Sequence, residues 1–519
     1  WAQVDLQGVR VERVRDFGAV YLGLALWRRL GLHKLLGELI ESGREEVPWE
    51  LTACIVTVAR WCGQKSELEV AERWYADSAL EDLLGVSFSQ VNDARLYRGL
   101  DVLHGLKDPL CAHLQQRYES LFGVGFEFLL YDLTSTYFEG QALKNEKAAR
   151  GYSRDQRPDC KQINIGLVVT SEGLPIGYET FAGNTADVTT VEEMVKLMED
   201  KYGKPKRIWV LDRGMISEEN VDFLLQRQAL YIIGTPKSQL KEFQAQLLDP
   251  NDWSEVQPGV EVKWVAHPDG LGKEQYVLCR SRSRREKEGA MMELARARLR
   301  QRLDKIHADL QRRPKVSSKI ERRLGLWLGR FPAAERLLEV TVERDDQGRA
   351  CGLKILERTE RVSWAQQAQG AYLLRTNCLD KDPAQLWRWY MQLTQAEETF
   401  RISKSDLNLR PVFHQKTHRV EAHILVCFLT LALWRTLEMW MQSKGLGDCA
   451  RQLIKEVATI RSMDVIVPVK EKGSEQAREV RLRVVARPDR AVAELLFRLG
   501  LELPSGPKIV QNVVEKNGG

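Results

Sequence analysis

Two aspartates and a glutamate, far apart in the chain, are the residues on which chemistry can be built. Asp132 lies within FLLYDLTSTYFEG, residues 128–140, an apolar run that reads as a buried strand. Asp212 ends a second such run, WVLDRG. Burial pushes a carboxylate toward its protonated form, and two carboxylates side by side repel each other unless positive charge separates them. A divalent cation meets that need. Mg²⁺ prefers oxygen ligands, keeps several waters, and is usually held by one or two carboxylates together with substrate phosphates; Mn²⁺ suits the same donors.

A third carboxylate is predicted on a helix that starts at Asp382-Pro383, an N-cap followed by proline at the first helical position, and runs to about Asp406. Tyr390, Glu397 and Lys404 are spaced by seven, so each step drifts by only about 20° and the three share one helical face. Leu386, Leu393 and Phe400 form a parallel apolar stripe. With that stripe on a sheet, Glu397 is carried to the rim. Glu398 points about 100° away and is the fallback ligand. Two Asp and one Glu can hold two ions about 3.5–4 Å apart, one activating the attacking oxygen and one stabilising the leaving oxygen of an in-line phosphoryl transfer.

The chain has 72 acidic residues, so a trio is easy to find and the surrounding elements must justify this one. After the strand of Asp132, KQINIGLVVT alternates apolar and other residues, Ser171-Glu172-Gly173 reads as a turn, and LPIGYETFAG returns as its partner. Thr190 and Glu193 are spaced as a capping box for a helix that stops at Gly203. RIWVLDRG is then a fourth strand, SEENVDFLLQRQ a helix capped by Ser217, and YIIGT a fifth strand. The order β-β-β-α-β-α-β is that of a ribonuclease-H-like α/β core with a mixed sheet, in which the strands of Asp132 and Asp212 are neighbours.

The remaining chain frames that core. Residues 1–122 read as an N-terminal helical domain that could bind DNA, 123–240 as the first part of the core, and 241–369 as a basic, β-containing inserted module. Residues 370–445 supply the closing helices and 446–519 a small mixed appendage. The module carries strand-like VEVKWVAH and EQYVLCRS, a helix from about Glu286 to Arg312, and strand-like sequence around LLEVTVERDDQGRACGLKILER. From Arg280 to Arg330 there are 17 Lys and Arg against 6 Asp and Glu, in a chain whose whole net charge is only +5. Such a block suits a polyanion such as nucleic acid, or is simply the solvated face of a helix.

Nine cysteines without a Cys-x-x-Cys pair point to reduced thiols and a cytoplasmic setting, with no signal peptide in view. The apolar tract Ala422 to Trp434 is short of the roughly 18 residues of a membrane span and reads as a buried helix. His414, His418, His423 and Cys427 do not share one helical face, which favours core or capping histidines over a zinc site.

The segments LLYDLTSTYF, GYSRDQRPDCKQINIGLVV, GLPIGYETFAGNTAD, WVLDRGMISEENV and YMQLTQAEETFRISKSDLNLRPVFH together resemble DDE transposases of bacterial insertion sequences. The similarity is to the IS-four superfamily, whose closing helix carries a Tyr-x2-Arg-x3-Glu-x6-Lys signature. The resemblance implies Asp132, Asp212 and Glu397 as catalytic metal ligands, with Mg²⁺ or Mn²⁺ as two ions when DNA is bound. It also implies Tyr390 and Lys404 as contacts to the transposon end. The signature arginine is replaced by Leu393, so its phosphate contact is absent or comes from elsewhere, with Arg388 and Arg401 as candidates. Arg154, Arg157 and Lys161 in a polar connector either contact phosphate or serve solubility, and Arg213 beside Asp212 is a further expected contact to DNA.

The reading is a cut-and-paste transposase that binds terminal inverted repeats, cleaves element ends with metal, and transfers the freed strand, as a homodimer in the synaptic complex at the nucleoid. The alternatives are a catalytically silent, transposase-derived DNA-binding protein and a structure-selective nuclease on the same fold.

Overall fold

The computed structural model describes residues 2–63, 65–202, 207–215, 217–266, 274–471 and 477–510. The chain divides into two compact units, one of residues 1–207 with 392–519 and one of residues 208–391.

In the first unit, β1 (Ala2–Val4) and β2 (Arg10–Asp16) precede a helical stretch containing α1 (Gly18–Arg29), α2 (Leu32–Leu39), α3 (Trp49–Trp61), α4 (Asp93–His104) and α5 (Lys107–Phe122). Then come β3 (Phe128–Tyr137), β4 (Gln162–Val169), β5 (Pro175–Ala182) and α6 (Val191–Tyr202). The three strands form the expected antiparallel meander, with Asp132 opposite Leu167. The tight turn between β4 and β5 uses Gly173 at φ +80°, which a glycine tolerates without strain.

Both faces of this meander are covered, which explains why β4 is buried along its whole length. On one face Tyr131 donates to Thr190 at the start of α6, and Gly166 and Gly177 make room for Met194 and Met198. Thr190 in turn donates to the Asp187 carbonyl. The expected stop of α6 at Gly203 lies outside the described residues.

The second unit begins with β6 (Ile208–Leu211), α7 (Glu218–Gln226) and β7 (Leu230–Gly234). Ser217 caps α7 by accepting from the Asn220 amide, and β6 and β7 pair in parallel, as a crossover helix requires. The element order is therefore that of a ribonuclease-H-like fold. Beyond it come β8 (Ser254–Gln257), β9 (Val260–Ala266), β10 (Gln275–Ser281), α8 (Arg282–Arg312), α9 (Ser317–Arg330), β11 (Leu338–Arg344), β12 (Ala350–Glu357) and β13 (Ala371–Thr376). Strand β13 pairs with β7 on one side and β10 on the other, and β9 and β8 follow. The strands that read as an irregular insertion thus extend the sheet of β6 and β7. Helices α8 and α9 and the β11–β12 hairpin build a separate apolar core around Leu299, Leu303, Ile306, Leu324 and Leu353.

The unit closes with α10 (Pro383–Met391). The first unit resumes with α11 (Leu393–Ser405), α12 (Thr417–Ser443), α13 (Ala450–Val457), β14 (Arg461–Glu471), β15 (Ala477–Val485), α14 (Arg490–Arg498) and β16 (Lys508–Val510).

Three expectations change. The closing helix is two helices, because Gln392 sits at ψ −14° and its carbonyl accepts from the Gln395 amide in a tightened turn. Leu386 is buried in the second unit, Leu393 and Phe400 in the first, so the stripe serves two cores. Tyr390 therefore does not share a continuous helix with Glu397 and Lys404. Second, the N-terminus is not helical throughout: β1 and β2 both pair with β14, in the segment that follows the closing helices. Third, the apolar stretch is longer than the tract Ala422 to Trp434: α12 has 27 residues and is long and apolar enough to cross a membrane, while the reading as a buried helix holds, with 89% of its most apolar window buried among the helices and β5 of its own unit.

Candidate active site

Asp132 owes its direction to the alternation of β3. Tyr131 points toward α6, so Asp132 and Thr136 point to the opposite face. There the Thr136 hydroxyl donates 2.9 Å to the Leu409 carbonyl, just beyond α11, and α11 packs across β3. One carboxylate oxygen of Asp132 accepts the Leu133 amide at 2.7 Å. The side chain is half-buried beside Leu133, Thr134 and Ser135, which are all buried. Burial, with the Asp132 charge adding to it, pushes the Tyr131 phenol upward, so that side chain stays neutral.

Glu397 is exposed on α11 between buried Ala396 and Phe400. The helix is held on either side of it. Arg435 of α12 donates 3.0 Å to the Gly173 carbonyl and 2.7 Å to Gln395 Oε1, while the Thr399 hydroxyl lies 3.5 Å from that same carbonyl. A third arm of Arg435 reaches Glu438 at 2.6 Å. Within the first unit, then, the strand carrying Asp132 and the helix carrying Glu397 lie against each other.

Lys404, seven residues on, is not a free surface cation. Its ammonium lies 2.8 Å from Asp155 Oδ1 with only 11% of the side chain exposed, and Arg410 donates to the same oxygen. Burial lowers the Lys404 pKa, offset by Asp155 and assisted by the Arg410 and Arg154 charges.

The arginines among the other expected contacts in this unit are paired as well. Arg154 donates to Asp187. Arg157 bonds Asp159 at 3.0 Å and stacks over Tyr137, and Arg401 holds Glu398. Lys161 is half-buried just before β4. Leu393, at the signature arginine position, is 5% exposed and belongs to the core.

In the second unit Asp212 follows β6 directly. Its carbonyl accepts the Met215 amide, closing a short turn on which Arg213 is exposed. Tyr390 reaches the same neighbourhood from α10. Its hydroxyl occupies the space beside Gly234 that a Cβ would need, so β7 must be glycine there. Burial raises the Tyr390 pKa, and the Asp212 charge adds to that. Arg284 of α8, a residue not singled out from the sequence, opposes the rise and stacks over Tyr372. A basic residue at the start of a helix gave no signal that its charge would act on Tyr390.

The histidines separate. His418 pairs with Asp101 at 3.2 Å, whereas His414 and His423 gather with Glu67 so that their ligand atoms lie within 4.8 Å of one another. The sequence reading missed Glu67, which comes from a different part of the chain. Such a trio has the donor set of a metal site. However, the Arg60 guanidinium already donates to His423 Nδ1 at 3.2 Å and to the Leu407 and Asn408 carbonyls at 3.1 Å. Burial works to raise Glu67, but the hydrogen bond and charge of His414, with the Arg60 charge, bring it down to about 2. The arginine supplies the balancing cation, so these groups form a self-sufficient ionic cluster.

The family model described as the transposase DDE domain matches residues 125–433. No curated protein matches the chain. Among solved structures it is similar to one described as a piggyBac transposase synaptic complex with hairpin DNA, at 10% identity and a TM-score of 0.39, covering 84% of this chain and 79% of that one. A second is described as a Mos1 transposase paired-end complex with the left transposon end, at 13% identity and a TM-score of 0.15, covering 37% and 60%.

Proposed function

The chain belongs to the transposase DDE domain family, and from that premise we propose that it is the cut-and-paste transposase of a bacterial insertion sequence of the IS-four superfamily. It binds the terminal inverted repeats, cleaves the DNA at the element's ends, and joins each freed 3′-hydroxyl to target DNA. The observation that carries this reading is the packing of α11, with Glu397 exposed on it, across β3 on the face to which Asp132 points.

Asp132, Glu397 and Asp212 would hold Mg²⁺ or Mn²⁺. The donor set fits such ions: all three offer hard carboxylate oxygens, and the side chains are half-buried or exposed. When bound, a pair of these ions activates the attacking oxygen and stabilises the leaving one. The protein's own residues orient the strand. Arg213 is exposed beside Asp212 and meets a phosphate directly. Arg154, Arg157 and Arg401 meet one by exchanging a carboxylate partner for it. Tyr390, neutral and next to Asp212, contributes a hydroxyl to the transposon end. The exposed cations of α8 add sequence-independent affinity, and synapsis of two ends calls for a homodimer.

The test incubates the purified protein with labelled terminal-repeat DNA and Mg²⁺ or Mn²⁺, beside Asp132→Asn and Glu397→Gln. The parent nicks the DNA, and each variant loses about three orders of magnitude in rate, equivalent to several kcal/mol of charge stabilisation, while still binding. A parent that binds but never cleaves is a silent descendant, and the proposal is then wrong.

A further inference from the structure

The Asp155 side chain is 2% exposed, yet one of its two oxygens receives two cations from elsewhere in the chain: Lys404 at 2.8 Å and Arg410. The second oxygen, Oδ2, is buried with no hydrogen-bond partner among the described residues. The three side chains together carry one positive charge in excess. Arg154 lies close enough to act on Lys404 as well, and its own counterion is Asp187. A lone carboxylate oxygen shared by an ammonium and a guanidinium leaves most of their donors unused, since Lys has three and Arg five. An anion with more oxygens would satisfy them better. The open side of the cluster is that of Arg410, whose side chain is 33% exposed against 11% for Lys404.

Lys404 and Glu397 lie on the same helix, seven residues and about 10 Å of helical rise apart. That corresponds to about three base-pair steps along a DNA strand.

Resting on the transposase reading, we propose that Arg410 and Lys404 form a two-cation cradle for a single backbone phosphate of the bound DNA, a few nucleotides from the phosphate at Glu397, with Asp155 as the buried counterion that holds the two cations together. Arg410 takes the outer oxygens of the phosphate through its planar fork, and Lys404 approaches from beneath as a point charge. The chain thus has an arginine at the DNA although its closing helix carries none at position 393.

The experiment measures binding of a fluorescein-labelled DNA duplex by anisotropy, without divalent metal, over a series of NaCl concentrations. Each neutralised phosphate contributes about 0.9 to the slope of log K against log salt. Arg410→Gln lowers the slope by about one and Lys404→Gln does the same. The double variant also loses about one, because both side chains grip the same phosphate. Arg410→Lys keeps the slope and serves as the charged control should Arg410→Gln melt early. A parental slope in Arg410→Gln, or in a folded Arg410→Lys protein a slope as low as that expected without the contact, overturns the cradle. A loss of two in the double variant overturns the single shared phosphate. A parent that binds no duplex at all removes the transposase reading along with the cradle, whereas a parent that binds with its slope insensitive to Arg410 removes the cradle alone.

Discussion

The Arg435 guanidinium fills the space beside Gly173 where a side chain would begin, and it bonds both the Gly173 carbonyl and Gln395 of α11. A β-turn thereby fixes the helix that carries Glu397, two residues from the bonded glutamine. The arrangement requires glycine twice over, once for the left-handed backbone and once for the empty volume.

Gly173→Ala and Arg435→Gln are each expected to slow metal-dependent cleavage by about 10- to 100-fold, the penalty of a misplaced reacting group. Because both act through one contact, the double variant is no slower than the worse single one. Duplex binding without metal stays at the parental level. Single-turnover cleavage and anisotropy on the same preparations check this; additive losses would separate Gly173 from Arg435.

Acid stability should carry the mark of the Arg60, Glu67, His414 and His423 cluster. Burial first, then the Arg60 and His414 charges, holds His423 well below its ordinary value, so the folded protein keeps it neutral while the unfolded chain protonates it near pH 6.5. The unfolded state therefore binds more protons as pH falls below 6.5, and stability declines from there. Glu67, lowered to about 2 in the fold, adds a second decline from about pH 4.5 downward that ends near its folded pKa. His423→Gln is expected to remove the first decline and leave the second, in urea melts taken from pH 8 down to about pH 2. A parental profile in that variant would mean that another group is responsible.

Asp464 is fully buried on β14, yet it accepts from Arg483 at 2.8 Å and from Arg481 at 3.3 Å, and lies 3.5 Å from Arg15 of β2. Burial opposes its charge, but the arginines prevail and lower its pKa, so its stabilisation is present above the ordinary aspartate value and is lost as pH falls through the folded one. Asp464→Asn leaves buried guanidinium groups without their counterion and should cost about 3–5 kcal/mol. The loss is read as a lower urea midpoint at an unchanged m-value. A variant within experimental error of the parent would show that Glu81 and Asp82, which also pair with Arg15, suffice.

Much of the architecture could be read from residue order alone. The meander, the parallel pair around α7, the Ser217 cap and the burial of Leu386, Leu393 and Phe400 all follow from local alternation and helical spacing. Those patterns are set by which face of an element is apolar, and that information is local. β1 and β2 escaped detection because RVERVRD exposes Val11 and Val14 and is held by backbone pairing to β14, hundreds of residues away.

Sequence by itself determined the strand that carries Asp132, the helical spacing that sets Lys404 seven residues after Glu397, and the segments by which the family is recognised. Only the tertiary structure decided that the closing helix breaks at Gln392, that Lys404 and Arg410 share Asp155, that Arg435 braces α11, and that Glu67 joins His414 and His423. The reason is physical. Periodicity tells which side of an element is turned away from water, whereas the partner of a buried charge is whichever opposite charge the folded chain delivers within a few ångströms, and residues 249 positions apart leave no local trace of that meeting.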